Sequence, residues 1–359
     1  MSTSDNEWNI SFVGCGFLGI YYFGVYSCLL ERAHHLIKST SKICGASSGA
    51  LIAAMIVCQM SPARCCENLM AIAKEARKGT LSSMHPSFNL LKLTRQLMVQ
   101  ELPDNAHLLA SGKLCVSLTR LSDRKNVLVS EFTSKDDLIQ ALFCSCFFPL
   151  YCGIVPPSYH GTRYVDGALS DSAPYSSLKN TIIVSPFSGE SDICPYDNPV
   201  YCQEVRHCNM SINVNLANVH RVSQAFFPPE PEVMAEICQN GYKDALRFLK
   251  ENDLFNQDSF MINSYNYTWQ DDHREPRQSG SHSGQTCVLD KQDNNLLPAS
   301  IQKVFYEATK KHRWMSELFA VKLVTSVLMV CVLPVEIVYF LFLRFVGWML
   351  EMVSDLLCL

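Results

Sequence analysis

A serine flanked by glycines, in Gly45-Ala46-Ser47-Ser48-Gly49, is the first feature of this chain that could carry chemistry. In a G-x-S-x-G segment a sharp strand-to-helix turn lifts the central hydroxyl clear of the backbone, and small neighbours avoid clashes in that turn. Ser47 is the candidate nucleophile, with Gly45 and Gly49 as the small residues of its elbow. The bland alternative is an ordinary Gly/Ser turn at a helix start, and Ser48 suits helix capping better than catalysis. A second cluster, Gly14-Cys15-Gly16-Phe17-Leu18-Gly19, follows an apolar run and precedes a helical pattern. Its G-x-G-x-x-G spacing also occurs in dinucleotide sites. Such a fold wants an acidic residue at the end of its second strand, whereas that strand here ends in Lys42-Ile43-Cys44-Gly45 and Glu31 falls inside the first helix. Glycine-rich backbone at a helix N-terminus also makes an oxyanion hole. Gly14, Cys15, Gly16, Phe17 and Gly19 are read as that loop, with the amides of Cys15, Gly16 and Phe17 aimed at developing negative charge.

A serine nucleophile needs a base. Of the 10 histidines, His34 and His35 sit at a helix end, His85 precedes a proline, and His273 and His282 lie in a polar stretch. His160 is near Asp166 in sequence but occupies the polar loop Ser158-Tyr159-His160-Gly161-Thr162. Asp166, followed by Gly167-Ala168, ends an apolar strand. A carboxylate there can orient and deprotonate Ser47 directly; taken alone, it also fits a turn-capping Asp before Gly.

The elements that must position these groups follow from the apolar pattern. Asn9 to Val13 reads as a buried strand, and a helix begins near Ile20; the glycines between them argue against a membrane span from Ile10 to Leu30. Lys42 to Cys44 ends a second strand, with an apolar helix from Ala50 to about Met60 and further helical patterns to about Gln100. Strands are expected at Lys113 to Leu118, Asn126 to Val129, up to Val165 and at Asn180 to Val184, with a helix near Lys135 to Ser145. Pro231 opens a helix that the Asn240-Gly241 pair should interrupt. Alternating strands and helices predict an α/β layered sheet.

Gln270 to Thr286 lacks any aliphatic or aromatic residue and reads as a linker, while Leu318 to Leu350 is apolar almost throughout. Within that tail Pro334 and Glu336 oppose a straight span of Leu323 to Leu343 and favour a monotopic hairpin. Thirty basic and 34 acidic side chains, net charge -4, supply no general attraction for nucleic acid. Seventeen cysteines without paired CxxC spacing suggest neither a metal site nor a disulfide framework. With no basic region at the start of the chain, an intracellular protein with reduced, mostly core cysteines is expected.

Taken together, the glycine loop at Gly14, the serine at Ser47 and the Asp166-Gly167 pair resemble the patatin-like phospholipase family. The stretches Cys144-Ser145-Cys146-Phe147-Phe148-Pro149, Arg163-Tyr164-Val165-Asp166-Gly167 and Phe227-Pro228-Pro229-Glu230-Pro231 are most similar to its adipose triglyceride lipase and adiponutrin subgroup. Ala168 stands where that lipase has a second glycine. The resemblance implies a patatin-type three-layer α/β/α domain with a mainly parallel central sheet over residues 8–252, then a polar linker over 253–300. A helical lipid-droplet or membrane-associating region would follow over 301–359. It further implies a Ser47-Asp166 dyad without catalytic histidine or cofactor, and a serine hydrolase cleaving long-chain acylglycerol esters. The expected place is the lipid droplet surface, with cytoplasmic and endoplasmic reticulum membrane pools, and an α/β-hydrolase-type coactivator is an expected partner. Two rivals share these residues: a transacylase using the same acyl-enzyme, and a weakly active droplet-bound protein that sequesters a coactivator.

Overall fold

The computed structural model describes residues 8–78, 89–178, 180–197, 203–254 and 296–316. The expected linker from Gln270 to Thr286, the apolar tail from Leu318 and its proposed hairpin, and His85, His273 and His282 all lie outside the described residues.

Strand β1, Asn9–Phe12, is buried and is followed by a short 3-10 helix, Gly16–Gly19, and by α1, Ile20–Arg32. After α2, His34–Ser39, comes β2, Lys42–Ala46, which leads through Ser47 into α3, Ser48–Val57. Helices α4, Pro62–Ala76, α5, Leu90–Glu101, and α6, Ala106–Ala110, precede β3, Leu114–Arg120, and β4, Asn126–Val129. Ser134 caps α7, Lys135–Ser145, by accepting the Asp137 amide, and acidic Asp136 and Asp137 in the first turn suit the positive end of the helix dipole. Strands β5, Ser158–Tyr159, and β6, Thr162–Asp166, form a hairpin; β7 is Thr181–Val184.

The main sheet runs β5-β6-β3-β2-β1-β7, with β4 also paired to β3. Four strands, β3, β2, β1 and β7, are parallel neighbours, and their near-continuous apolar composition matches burial on both faces. The pairs β3-β4, β3-β6 and β5-β6 are antiparallel, so the sheet is mixed. Sheet and flanking helices fit an α/β/α layout.

Three details depart from the sequence expectation. The helix opened by Pro231, α9, runs unbroken to Glu251. Gly241 does not interrupt it but lets it approach α1, since a Cβ there would lie 2.1 Å from the Tyr21 carbonyl oxygen. A second link between these helices is the Tyr21 hydroxyl, which donates to Asp244 at 2.8 Å. The second departure is a hairpin, β8, Gln203–His207, and β9, Met210–Val214, followed by α8, Leu216–Phe226. Their exposed backbone and mixed composition gave no periodic signal. The third is α10, Ala299–Ser316, whose Ile301, Val304 and Phe305 are buried in the main core. The expected boundary at 301 thus falls inside a helix that packs on the domain.

Among the described residues 13 cysteines are free, 10 of them fully buried. They serve as small apolar side chains of the core, as their scattered spacing suggested.

Candidate active site

Sheet register brings the two separated motifs together. Ala46 at the end of β2 lies opposite Ser117 of β3, and the next β3 residue, Leu118, lies opposite Asp166 at the end of β6. Strands β2 and β6 run in opposite directions but end at adjacent levels of β3, so Ser47 and Asp166 come to the same place with only β3 between them.

Ser47 stands in a strained turn, with φ 55° and ψ -129°. A non-glycine residue in such a conformation costs on the order of 1–3 kcal/mol, which the surroundings must offset. Its amide donates to the Ser145 hydroxyl at 2.9 Å, and Ser145 in turn donates to the Ser117 carbonyl at 2.8 Å. The Ser47 carbonyl accepts the amides of Ala50 and Leu51 as the first turn of α3. The turn closes tightly because a Cβ on Gly45 would meet the Gly49 carbonyl carbon at 2.3 Å, and one on Gly49 would meet the Phe12 oxygen at 2.1 Å. Both flanking glycines are thus required by contact with backbone that cannot swing aside.

Asp166 is 2% exposed. Its amide donates to the Phe147 carbonyl at 2.8 Å, and its carbonyl accepts from Thr119 Oγ1 at 2.7 Å, so the backbone is pinned on both sides. One carboxylate oxygen, Oδ1, accepts the Ala168 amide at 2.9 Å, and the Ser47 side chain lies close enough to favour the charged form of the same carboxyl. The turn-capping reading of Asp166 is realised, and the sheet register sets the same residue beside Ser47. Burial pushes the carboxyl up from its ordinary 3.8 to about 6, with the hydrogen bonds from Ser47 and Ala168 pulling the other way. A group so poised is ionised at neutral pH and basic enough to take a proton from a serine.

The glycine loop lies across this pair. A Cβ on Gly14 would sit 2.9 Å from Ala168 Cβ and 3.3 Å from Ser47 Cβ. The Gly14 amide donates to Ser172 Oγ at 3.2 Å, and the Cys15 amide to Ser48 Oγ at 3.1 Å. Ser48 is therefore a brace for the loop rather than a helix cap. Gly16 and Phe17 open the 3-10 helix, so their amides have no acceptor earlier in that helix, and both residues line the cavity that also exposes Ser47. Gly16 has φ 55°, and a Cβ on it would collide with the Ala225 carbonyl at 2.2 Å. Gly19 also lines the cavity, beside Ser48.

That cavity holds about 1120 Å³ of empty space, its mouth included. Leu51 and Met55 of α3, Leu69 and Ile72 of α4, and Leu97 and Met98 of α5 contribute apolar side chains to its wall. Its largely aliphatic wall suits hydrocarbon. Sequence reasoning missed this feature: the helical patterns up to Gln100 were legible, but not that three helices would hold their inner faces apart.

His160 is placed elsewhere. It turns the β5-β6 hairpin at φ 48°, stacks on Tyr159, and its Nε2 lies 2.9 Å from Asp137. Among the described residues no histidine is hydrogen-bonded to Ser47 or Asp166. The braces Ser145, Thr119 and Ser172 were not singled out in the sequence, since a lone serine or threonine in a strand or helix end carries no spacing signal.

With this geometry in place, similarity to known proteins becomes informative. Residues 10–179 match the sequence profile of the family described as patatin-like phospholipase. The chain is 42% identical to patatin-like phospholipase domain-containing protein 2 of Rattus norvegicus, over 99% of this chain and 75% of that protein. It is 38% identical to the 1-acylglycerol-3-phosphate O-acyltransferase Pnpla3 of Mus musculus, over 99% of this chain and 87% of that protein. Against patatin-like phospholipase domain-containing protein 5 of Mus musculus identity is 36%, over 98% and 85%. A family profile covering the glycine loop, the elbow and the Asp-Gly turn, and relatives aligned over nearly the whole chain, lead to one assignment: this protein belongs to the patatin-like phospholipase family and is an ester hydrolase of the lipase kind.

Proposed function

We propose that the chain hydrolyses long-chain acylglycerol esters through a Ser47-Asp166 dyad. The observation that supports this reading is the buried Asp166 carboxyl set beside Ser47, which itself lines an apolar cavity. Ser47 Oγ attacks the ester carbonyl carbon while Asp166 takes its proton. The oxygen of the tetrahedral intermediate gathers negative charge and is met by the amides of Gly16 and Phe17. Collapse expels the glycerol oxygen, which recovers the proton from Asp166, and the acyl chain stays on Ser47 within the apolar cavity. Water, deprotonated by Asp166, then attacks the acyl carbon; the bond to Ser47 Oγ breaks, Oγ takes the proton back from Asp166, and the fatty acid leaves.

Transacylation is the second reading, favoured by the likeness to a protein named as an acyltransferase. It uses the same acyl-enzyme and differs only in the acceptor, a hydroxylated lipid in place of water. The place of action in this proposal is the lipid droplet surface, with membrane and cytoplasmic pools, where the apolar stretch from Leu318 to Leu350 supplies attachment and an α/β-hydrolase-type protein serves as coactivator.

The test offers the purified chain triacylglycerol, phospholipid and monoacylglycerol emulsions, with and without a second acyl acceptor, and identifies the products. Free fatty acid that depends on both Ser47 and Asp166 is expected. Release that survives Ser47→Ala would refute the dyad, and acyl transfer outpacing release would select the second reading.

A further inference from the structure

Helix α8, Leu216–Phe226, is built inside out. A helix on the surface of a water-soluble domain turns its apolar stripe to the core and its polar side to solvent. Here Asn218 is 2% exposed and Gln224 8%, while Leu216 is 88% exposed and Val219 63%. Val222 and Phe227 continue the outer stripe, and both are exposed.

The buried polar side is fully engaged. Asn218 accepts the Ser188 amide at 3.0 Å and donates to the carbonyls of Ser188 at 2.9 Å and Asn213 at 2.8 Å. Arg221 grips both carboxylate oxygens of Asp197, at 2.7 and 2.8 Å, and its charge helps hold that carboxyl down at about 2. Asn215 caps the helix by accepting the Asn218 amide. These bonds fix the helix rotation, so the apolar stripe cannot roll inward. A single exposed leucine needs no explanation, but three apolar side chains at helical spacing, with Phe227 exposed just past the helix end and a satisfied polar face opposite, do.

The C-terminal end of α8 lies beside the candidate active site, with Phe227 just beyond it. Ala225 lines the cavity, its carbonyl packs against Gly16, and the Phe226 carbonyl accepts from the hydroxyl of Tyr151, another lining residue, at 2.7 Å. The neighbouring Leu150, 72% exposed, extends the apolar rim on the other side of that contact. Helix α8 carries no carboxylate that would oppose a lipid phase.

We propose that the outer face of α8, with Leu150, seats in the surface layer of the lipid aggregate and holds the cavity mouth against it. Leu216, Val219, Val222 and Phe227 then enter the acyl region, as the apolar face of an interfacial helix does. The reason for the juxtaposition is chemical: a long-chain ester must pass from a lipid phase into the cavity without its chains crossing water, and an apolar collar gives it a continuous path. The inference rests on the acylglycerol-hydrolase reading for its purpose, but not for its geometry.

The experiment uses the full chain with Leu216→Lys/Val219→Lys, and separately with Val219→Trp. Substrates are a triolein emulsion coated with phosphatidylcholine and a short-chain ester dissolved as monomer. The apolar stretch from Leu318 can retain the chain on lipid in any orientation, so bulk binding is not the readout. We expect emulsion turnover to fall about tenfold or more, since two apolar side chains lose their transfer into lipid. Turnover of the monomeric ester should stay within about twofold of the parent chain. The emission added by Val219→Trp should be quenched when the phosphatidylcholine carries brominated acyl chains. Equal turnover of the emulsion, or absence of quenching, would overturn the proposal. A parallel fall on the monomeric ester with lowered thermal stability would also overturn it, because the face would then be covered by protein. Quenching needs no turnover, so a parent chain inactive on both esters would fault the hydrolase reading while quenching still decides the docking.

Discussion

Replacing Asp166 with asparagine should abolish turnover and at the same time stabilise the protein. In the folded state the Asp166 carboxyl keeps its proton up to about pH 6, because burial penalises the charge, whereas in the unfolded chain it loses the proton near 3.8. Folding therefore takes up a proton between these values, and the stability contributed by this group falls as pH rises through that window. Above about pH 6 the full penalty stands; below about 3.8 it vanishes. The gap between 3.8 and about 6, at about 1.4 kcal/mol per pH unit, amounts to roughly 3 kcal/mol at pH 8. Asparagine has the same shape, can accept the Ala168 amide through its oxygen, and can donate to Ser47 Oγ, so the neutral side chain keeps its partners while shedding the charge. Urea unfolding of both proteins at pH 8 and at pH 4 provides the assay. The variant should be more stable by about 3 kcal/mol at pH 8 and nearly level with the parent chain at pH 4. Hydrolysis of a soluble ester should meanwhile fall by roughly 10²–10⁴, the range for losing a general base. A variant less stable at pH 8, or a gain independent of pH, would show that Asp166 is not a desolvated base held against its preference.

Other outcomes follow from the same geometry. For the parent chain, kcat/KM on a soluble ester should decline as pH falls through about 6, where Asp166 gains its proton; a profile flat down to pH 5 would contradict the assignment. Ser47→Ala should eliminate labelling by a fluorophosphonate probe, checked by gel fluorescence, and lower stability by about 1–3 kcal/mol because a buried carboxylate loses a donor. His160→Ala removes an exposed 2.9 Å contact to Asp137 and should change stability by less than about 1 kcal/mol, with kcat unaltered in steady-state assays. Gly49→Ala must push a methyl group to within 2.1 Å of the Phe12 carbonyl, so thermal unfolding should show a loss of at least about 1–3 kcal/mol.

Much of the fold was legible because the buried parallel strands and the helices between them carry strong local patterns. Asn126–Val129 and Lys135–Ser145 fall where the sequence put them. The motif residues Ser47 and Asp166 were legible for a similar reason: each sits at a strand end followed by small residues, which is a local signal. Local pattern could not supply the pairing that makes them neighbours, which only the family resemblance implied. That depends on the Ala46-Ser117 and Leu118-Asp166 registers and on β6 running antiparallel to β3, all of which are long-range. Helix α8 was missed because its polarity is reversed: Leu216, Val219 and Val222 form a helical stripe, but with no partner among the described residues the stripe looks like scattered apolar residues in a polar loop.

The same comparison explains why the site is arranged as it is. Two unfavourable terms meet there, the left-handed backbone of Ser47 and the desolvated charge of Asp166, and neither is reduced by local alternatives. Relaxing Ser47 would need glycine, which has no hydroxyl; hydrating Asp166 would return its carboxyl toward 3.8 and leave it a weaker base. Both residues are instead held by hydroxyl braces that reach across the sheet: Ser145 on the Ser47 amide, Thr119 on the Asp166 carbonyl, and Ser172 on Gly14 of the loop above them. Ser145 and Thr119 are at least 96% buried, so water does not compete for their bonds. Such braces, in a core otherwise filled by Val, Ile, Leu and Cys, hold the candidate site rigid, and among the described residues no histidine is hydrogen-bonded to the pair. Mutating a brace should therefore act on geometry first: Ser145→Ala frees the Ser47 amide, lets the turn relax, and should lower kcat on a soluble ester more than it raises KM. The opposite split, KM rising with kcat unchanged, would mean that Ser145 shapes the cavity rather than the nucleophile.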